Sequence, residues 1–460
     1  MSAPTVNLRV LLALAWPVVL ARSTQAVISV TDALMVAPLG EDALAAATTG
    51  GINAFAAMIL PMGTVFIVQS FVAQLVGKGR AGEVRRYAWY GLTIALAAAA
   101  VALAVLPFLR PILGVFAHDP AVLALMGDYM FIRLFAVGAV VGSEALGNWY
   151  GGLGNTRMQM IAGVLMMVAN IIGNWFLIEG NGGAPALGVE GAALASAVAS
   201  WLGFGFLWLA FRRDWGGAPP GDGTVRLTWR ELGRVLRFGL PNGFNWFMEF
   251  GAFALFLNVV VTSLGKTTLG ALNVIMQVNM VAFMPAFGVT TAGAILAGQT
   301  IGAGAHARVW PIVRLTLMVT AGWMLAVGAV YALVPEQVMG LFARPDPETG
   351  LTAEALVLIG APMLTLSAAW QLFDAAALTF AETLRAAGDT AWTLAARLVL
   401  AWVGFVPVSM VAVFVLDGGS MVVMLCIIGY LAALAAALVW RFRSGAWQRI
   451  DLTGREPELV

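Results

Sequence analysis

The chain has 460 residues, of which 61% are hydrophobic and 11% charged, with a mean hydropathy of +0.89. Soluble domains carry about 25% charged and about 45–50% apolar residues, so an ordinary soluble protein built on one large core is excluded. A net charge of +1 gives no basic footprint for nucleic acid, and the single cysteine, Cys426, excludes an intrachain disulfide.

Apolar runs recur from Leu8 to Trp440. Each has about 20 residues or more, enough for a helix to cross the roughly 30 Å hydrocarbon layer. The strands of a β-barrel would alternate with period two, and these runs do not. The fold class predicted is an all-α polytopic membrane protein. Twelve spans are expected, near 8–38, 44–76, 85–109, 120–148, 157–179, 187–211, 231–263, 267–301, 307–334, 351–386, 390–416 and 420–442. The first stretch continues past Val30, too long for a signal h-region, and is taken as the first span. No polar stretch is long enough for a soluble catalytic domain. Pro17, Pro61, Pro241, Pro285, Pro362 and Pro407 fall inside spans and are expected to bend them.

Basic residues set the orientation. Lys78, Arg80, Arg85, Arg86, Arg157, Arg212, Arg213, Arg226, Arg230, Arg308, Arg385, Arg441 and Arg443 follow even-numbered spans. The other loops hold only Arg110, Lys266 and Arg344, among Glu41, Asp42, Asp119, Glu336, Asp346 and Glu348. Both termini are therefore expected in the cytoplasm, with the chain in a bacterial inner membrane.

The polar segment Arg212–Trp229 divides the chain into two halves of six spans: an N-lobe at 1–211, a linker at 212–229 and a C-lobe at 230–460. The halves resemble one another. QLVGKG (74–79) matches QTIGAG (299–304), Pro17 matches Pro241, Leu39-Gly40 matches Leu264-Gly265, and Gly154-Asn155-Thr156 matches Gly388-Asp389-Thr390. Both copies start on the same side, so the repeat is parallel and suits alternating access.

Several spans carry carboxylates, which cost about 2.5–3.5 kcal/mol each at the centre of a membrane helix and are functional candidates by default. They are Asp32, Glu144, Glu249, Asp374 and Glu382. Arg22, Gln25, Ser29 and Asp32 share one helix face, as do Asn242, Asn245 and Glu249. Gln371 and Asp374 are three apart, with Glu382 two turns on; Asn170 pairs in spacing with Asn174, and Asn273 with Gln277. Polar side chains of this kind also act as glue between helices, which suits the amides better than the acids. Arg22 is placed to neutralise Asp32 or Glu144. Burial raises a carboxyl pKa towards neutrality, and clustered oxygens can alternatively hold Na⁺; the residues leave H⁺ and Na⁺ both open.

Competing motifs are poor. SLGKTT (263–268) has Val260 where a phosphate loop needs its first glycine. His118 and His306 lie in different loops without metal-ligand spacing, and no Asp-x-x-x-Asp or Gly-x-Ser-x-Gly occurs. Nucleotide binding and membrane-embedded enzymes with paired aspartates are therefore not expected.

The sequence resembles the multidrug and toxic compound extrusion (MATE) family, in its NorM-like branch, from about residue 8 to 442. The stretches that carry the resemblance are VTDALMVAPLG (30–40), FVAQLVGKGRAGEV (71–84), NIIGNWFLIEGNGGAPALGVEGAALASAVA (170–199), LPNGFNWFMEF (240–250) and WQLFDAAALTFAETLRAAGDT (370–390). The resemblance implies two pseudo-symmetric six-helix lobes of MATE/MOP type. It also implies Na⁺- or H⁺-driven export of cationic amphiphiles, with no cofactor beyond the coupling ion. By position, the resemblance matches Asp32 to the first-helix acid of that family's N-lobe, where protonation is proposed to act, and Asn170 and Asn174 to polar residues of the same lobe. Glu249 and Asp374 match its C-lobe acids linked to cation binding, a candidate Na⁺ site. Glu382 and Arg22 depart from the branch, which has small residues there.

The function expected is therefore a cation-coupled multidrug antiporter, monomeric in the bilayer, and not an enzyme. Asp32, Glu249 and Asp374 are the coupling groups; Gln25, Asn170, Asn174, Asn245, Gln277, Gln371 and Glu382 are secondary cavity residues. The alternative is a lipid-linked oligosaccharide flippase of the same superfamily, which would need a basic cavity where the intramembrane charge here is mostly acidic.

Overall fold

A computed structural model describes residues 7–114, 119–217, 227–342 and 352–454. His118, Arg226, Arg344, Asp346 and Glu348 lie outside the described residues. Within them the chain is helical and no strand occurs. Ten helices are long and apolar enough to cross a membrane, and two bent pairs bring the number to twelve. In chain order they are α1 (Leu8–Leu39), α2 (Glu41–Gly77), α3 (Ala81–Leu113), α4 (Pro120–Leu134 with Val137–Gly152), α5 (Arg157–Leu177) and α6 (Gly188–Arg212). Then follow α7 (Trp229–Leu264), α8 (Lys266–Gly302), α9 (His306–Leu333), α10 (Ala353–Ser367 with Trp370–Ala387), α11 (Thr390–Phe414) and α12 (Ser420–Arg443).

The sharpest breaks are not at prolines. α4 bends by 46° and α10 by 51°. At both joints the backbone closes a tighter turn, with bonds reaching back three residues instead of four: Ala136 N to Arg133 O, Ala368 N to Thr365 O and Ala369 N to Leu366 O. A three-residue turn redirects the axis without any proline. Pro17, Pro61, Pro241, Pro285 and Pro362 are all accommodated inside helices.

The repeat read from sequence recurs in the backbone. The paired glycines adopt the left-handed region together: Gly40 and Gly265 at φ 109° and 96°, and Gly154 and Gly388 at 84° and 89°. A side chain is strained at such angles, which is why glycine recurs at the same joints of both halves. Helix partners recur too. In the first half α2, α3 and α6 pack on α4, and α5 packs on α6; in the second, α8, α9 and α12 pack on α10, and α11 packs on α12.

The compact units do not part at the expected 212–229 linker. One unit is Pro17–Phe244, the other Ser2–Trp16 with Asn245–Val460. The correction has a packing cause. Gly243 lies so close to α2 that an added Cβ would meet Leu60 O at 2.3 Å, and Asn242 donates to Gly63 O at 2.7 Å. The first half of α7 is thereby fixed to α2 in the first unit. Leu11 and Ala15 of α1 are buried in the second unit among Leu296, Phe380 and Leu438. Pro17 and Pro241 stand at or near these splits.

Candidate functional site

In the first unit Asp32 sits on α1 facing α5 and α6. Asn170 and Asn174, four apart on α5, donate their amides to Asp32 Oδ1 at 3.0 and 2.5 Å. Ser196 of α6 donates to Oδ2 at 3.1 Å, and Asn170 also donates to Ser196 Oγ at 3.0 Å. Both asparagines are fully buried. Among the described residues the carboxylate is thus held by three neutral donors and makes no ion pair; Arg133 exerts only a weak electrostatic pull on it. Hydrogen bonds to a charged acceptor contribute about 1.5–3 kcal/mol each, so three can hold an anion without cancelling its charge. Asn174 Oδ1 is buried without a partner and adds another oxygen to the same cluster.

Arg22 is committed elsewhere. Its guanidinium makes a two-pronged pair with Glu144, Nη1 to Oε1 at 2.9 Å and Nη2 to Oε2 at 3.1 Å, and lies over the Phe66 ring. Asn148 donates to the same Glu144 carboxylate at 3.3 Å. Of the two partners open to Arg22 in the sequence, the structure selects Glu144. That cluster ties α1 to α4 and leaves Asp32 unneutralised.

In the second unit Glu249 of α7 and Asp374 of α10 are not a bare pair of acids. Arg397 of α11 donates to Glu249 Oε2 through Nη1, so the expected cation site already has a protein cation at one carboxylate. Asp374 accepts no hydrogen bond among the described residues. Its charged neighbours are Glu249 and Arg397. Tyr430 of α12 has a buried hydroxyl without a hydrogen-bond partner and feels all three charges. Both helices widen just beyond the ion pair, at Phe256–Val261 and Val399–Phe405, where each turn holds an extra residue. Such π turns are frequent at functional sites.

The secondary residues separate. Gln371 is buried and donates to Asn279 Oδ1 at 2.6 Å, whereas Asn273 and Gln277, the residues noted on α8, are exposed. Gln25 is exposed on α1, and Asn245 is buried with its Oδ1 unpartnered. Glu382, taken as a secondary cavity residue, is buried and paired with Arg385 one turn on, Oε2 to Nη2 at 2.5 Å. Its charge is met within its own helix, as a structural ion pair. His306 packs its ring 6.0 Å from that of Trp447 and is half-buried.

Reading the sequence missed Arg397, Asn279, Ser196 and Tyr430. Arg397 carried a signal, since an arginine eight residues into an apolar run costs as much as the acids that were noticed. Ser196 and Tyr430 carried none, because one serine or tyrosine among apolar neighbours is ordinary in membrane helices.

These helices, paired by an internal repeat and carrying carboxylates inside each half, define a membrane transporter of the two-lobe class. The MatE family model matches the chain twice, at residues 17–176 and 244–411, once in each half. The chain is 30% identical to the probable multidrug resistance protein NorM of Pseudomonas putida, across 98% of this chain and 97% of that one. It is 27% identical to the multidrug resistance protein NorM of Burkholderia vietnamiensis, across 93% and 92%. Among solved structures it superposes with a TM-score of 0.85 on a multidrug resistance MATE family transporter of the MOP superfamily in an outward-facing conformation, at 21% identity over 96% of this chain and 97% of that one. A MOP superfamily transporter from Pyrococcus furiosus gives 0.86 at 20%, with the same coverage. The chain belongs to the MATE family.

Proposed function

We propose that the protein is a cation-coupled multidrug exporter of the bacterial inner membrane, with both termini in the cytoplasm, acting as a monomer by alternating access. The reading rests on Asp32, an anion kept between α1, α5 and α6 by neutral donors only. An unneutralised acid is costly inside a membrane protein. One whose charge is solvated by two amides and a hydroxyl, with no arginine bonded to it, can take up and release a small cation without breaking an ion pair. Names of the NorM relatives support drugs as cargo, and amphiphilic cations are the class that acidic sites favour. No step needs a cofactor or a catalytic group.

The flippase alternative needs unpaired basic residues for a pyrophosphate. Three of the arginines inside the helices, Arg22, Arg385 and Arg397, are each paired with a carboxylate instead, and Arg133 lies near Asp32, which favours the exporter.

The test is dye efflux from proteoliposomes, with Na⁺ and pH gradients imposed separately. Wild-type protein is expected to move ethidium against its gradient under at least one of them. Asp32→Asn, which keeps the shape and loses the charge, is expected to stop efflux while the protein remains monodisperse and membrane-inserted. Full efflux by that variant would remove the assignment.

A further inference from the structure

We infer that Arg397 is a tethered counter-cation that occupies the cation position of the second unit, so that this unit takes no inorganic cation and ion coupling falls to the Asp32 cluster alone. The inference rests on the exporter reading and sharpens it, because it says which of the two acidic clusters meets the ion.

Three contacts make Arg397–Glu249 a built feature and not a stray pair. Arg397 donates to Glu249 from one end of its α11 turn. Trp402, five residues on, donates its indole N–H to Met248 O, the residue before Glu249, at 3.2 Å. Beyond these, the Phe256 and Phe405 rings meet at a centroid separation of 4.7 Å. The π turns of α7 and α11 are thus fastened together, with the ion pair at one end of the seam.

The charges do not cancel. Glu249 and Asp374 supply two negative groups and Arg397 one positive. A second cation at Glu249 would stand beside the guanidinium, and like charges at short range repel. Arg397 also has a spare donor, since its Nε–H is buried without a partner, while among the described residues Asp374 accepts no hydrogen bond. The guanidinium can therefore trade Glu249 for Asp374 by a change of rotamer. Whichever acid it leaves is the one exposed to a cationic cargo. A fixed arginine competing for these acids selects against a bare ion, which offers nothing but charge. It selects less against a large amphiphile, which brings apolar contacts of its own.

Equilibrium binding of radiosodium to purified protein tests this, with dye efflux measured on the same preparations. Asp32→Asn is expected to show no saturable sodium binding. Adding Arg397→Met should open a sodium site at least about tenfold tighter than any residual binding, and Asp374→Asn on top should close it again. Arg397→Lys in place of Met should keep it closed, since an ammonium also reaches Glu249. Saturable sodium binding by Asp32→Asn that Glu249→Gln removes would overturn the inference. So would a folded Asp32→Asn/Arg397→Met protein that binds no sodium. If the methionine variant fails to fold, the single Asp32→Asn result decides: no binding supports the inference and saturable binding overturns it. Absence of dye efflux by the wild type would instead refute the exporter reading and leave the sodium result standing.

Discussion

The crossing of α1 with α5 in the first unit and that of α7 with α11 in the second are the same place in the repeat, filled in opposite ways. Nine residues after the paired left-handed glycines Gly154 and Gly388 stand Gly163 and Arg397. Eight residues after Pro17 and Pro241 stand Gln25 and Glu249. In the first unit Gly163 lets α5 lie directly on α1: a Cβ there would meet Thr24 Oγ1 at 2.9 Å and Ala21 Cα at 3.4 Å. In the second unit the same position carries a guanidinium bonded to a carboxylate. The first unit closes that crossing with small residues and keeps its unneutralised acid further along α1, at Asp32. The second unit opens the crossing and sets a guanidinium against Glu249, with Asp374 as a second acid nearby. Duplication supplied two copies of one scaffold, and the difference in residue size at a single helix contact decides which copy sets a protein cation beside its acids.

The wide turns fit this account. Pro17 lies 23 residues before Gly40, and Pro241 lies 24 before Gly265. The extra residue is taken up where α7 becomes a π turn at Phe256–Val261. An insertion beside the ion pair was absorbed in the helix, not in a loop.

Breaking the charged pairing of the second unit should have the largest effect on stability at Glu382 and Arg385, whose side chains are only 9% and 4% exposed. Removing one member of a buried pair leaves the other uncompensated, at a cost of about 3–5 kcal/mol. Glu382→Ala is expected to lower the thermal melting point of the detergent-solubilised protein steeply. Glu382→Gln, which retains an acceptor for Arg385, should lower it less. Equal losses would mean that side-chain volume and not charge matters there.

Filling the small-residue crossing of the first unit comes next. Gly163→Ala puts a methyl against Thr24 and should cost about 2 kcal/mol by overpacking. Thr24→Ala in the same chain should return part of that loss, although it also removes the bond from Thr24 Oγ1 to Ala21 O at 2.7 Å. If the double variant melts at the sum of the two single losses, the two residues do not share the contact and the comparison fails at that point. Asn174→Leu should cost less, about 1–2 kcal/mol, since it strips Asp32 of one of three donors and leaves the others in place. It should impair efflux more than melting, because the remaining donors hold the carboxylate less firmly in its charged form.

Much of this was legible in the sequence, and the rest was hidden because it depends on which helix faces meet. Apolar run length gave the twelve helices, and glycines that must take positive φ marked the joints of the repeat. Asn170 and Asn174 could be read as one face because helical spacing fixes which residues share a stripe. Spacing does not say which member of a stripe meets a partner: Gln277 is exposed. Asn279, two residues beyond Gln277 and so about 160° away round the helix, is the one that meets Gln371. Arg397 and Glu249 are 148 residues apart, and no local rule pairs them.

The smallest expected effect sets the floor for these comparisons. Arg110 pairs with Asp128 at 2.9 Å, but the arginine is 78% exposed. In high-dielectric surroundings the attraction between such side chains is nearly offset by the freedom they lose in meeting. Arg110→Ala should leave the melting point and efflux unchanged within error. A loss comparable to that of Asn174→Leu would mean that charge pairs at the helix ends matter as much as those inside. The contrast drawn between Asp32 and Glu249 would then rest on the number of charges, not on where each is buried.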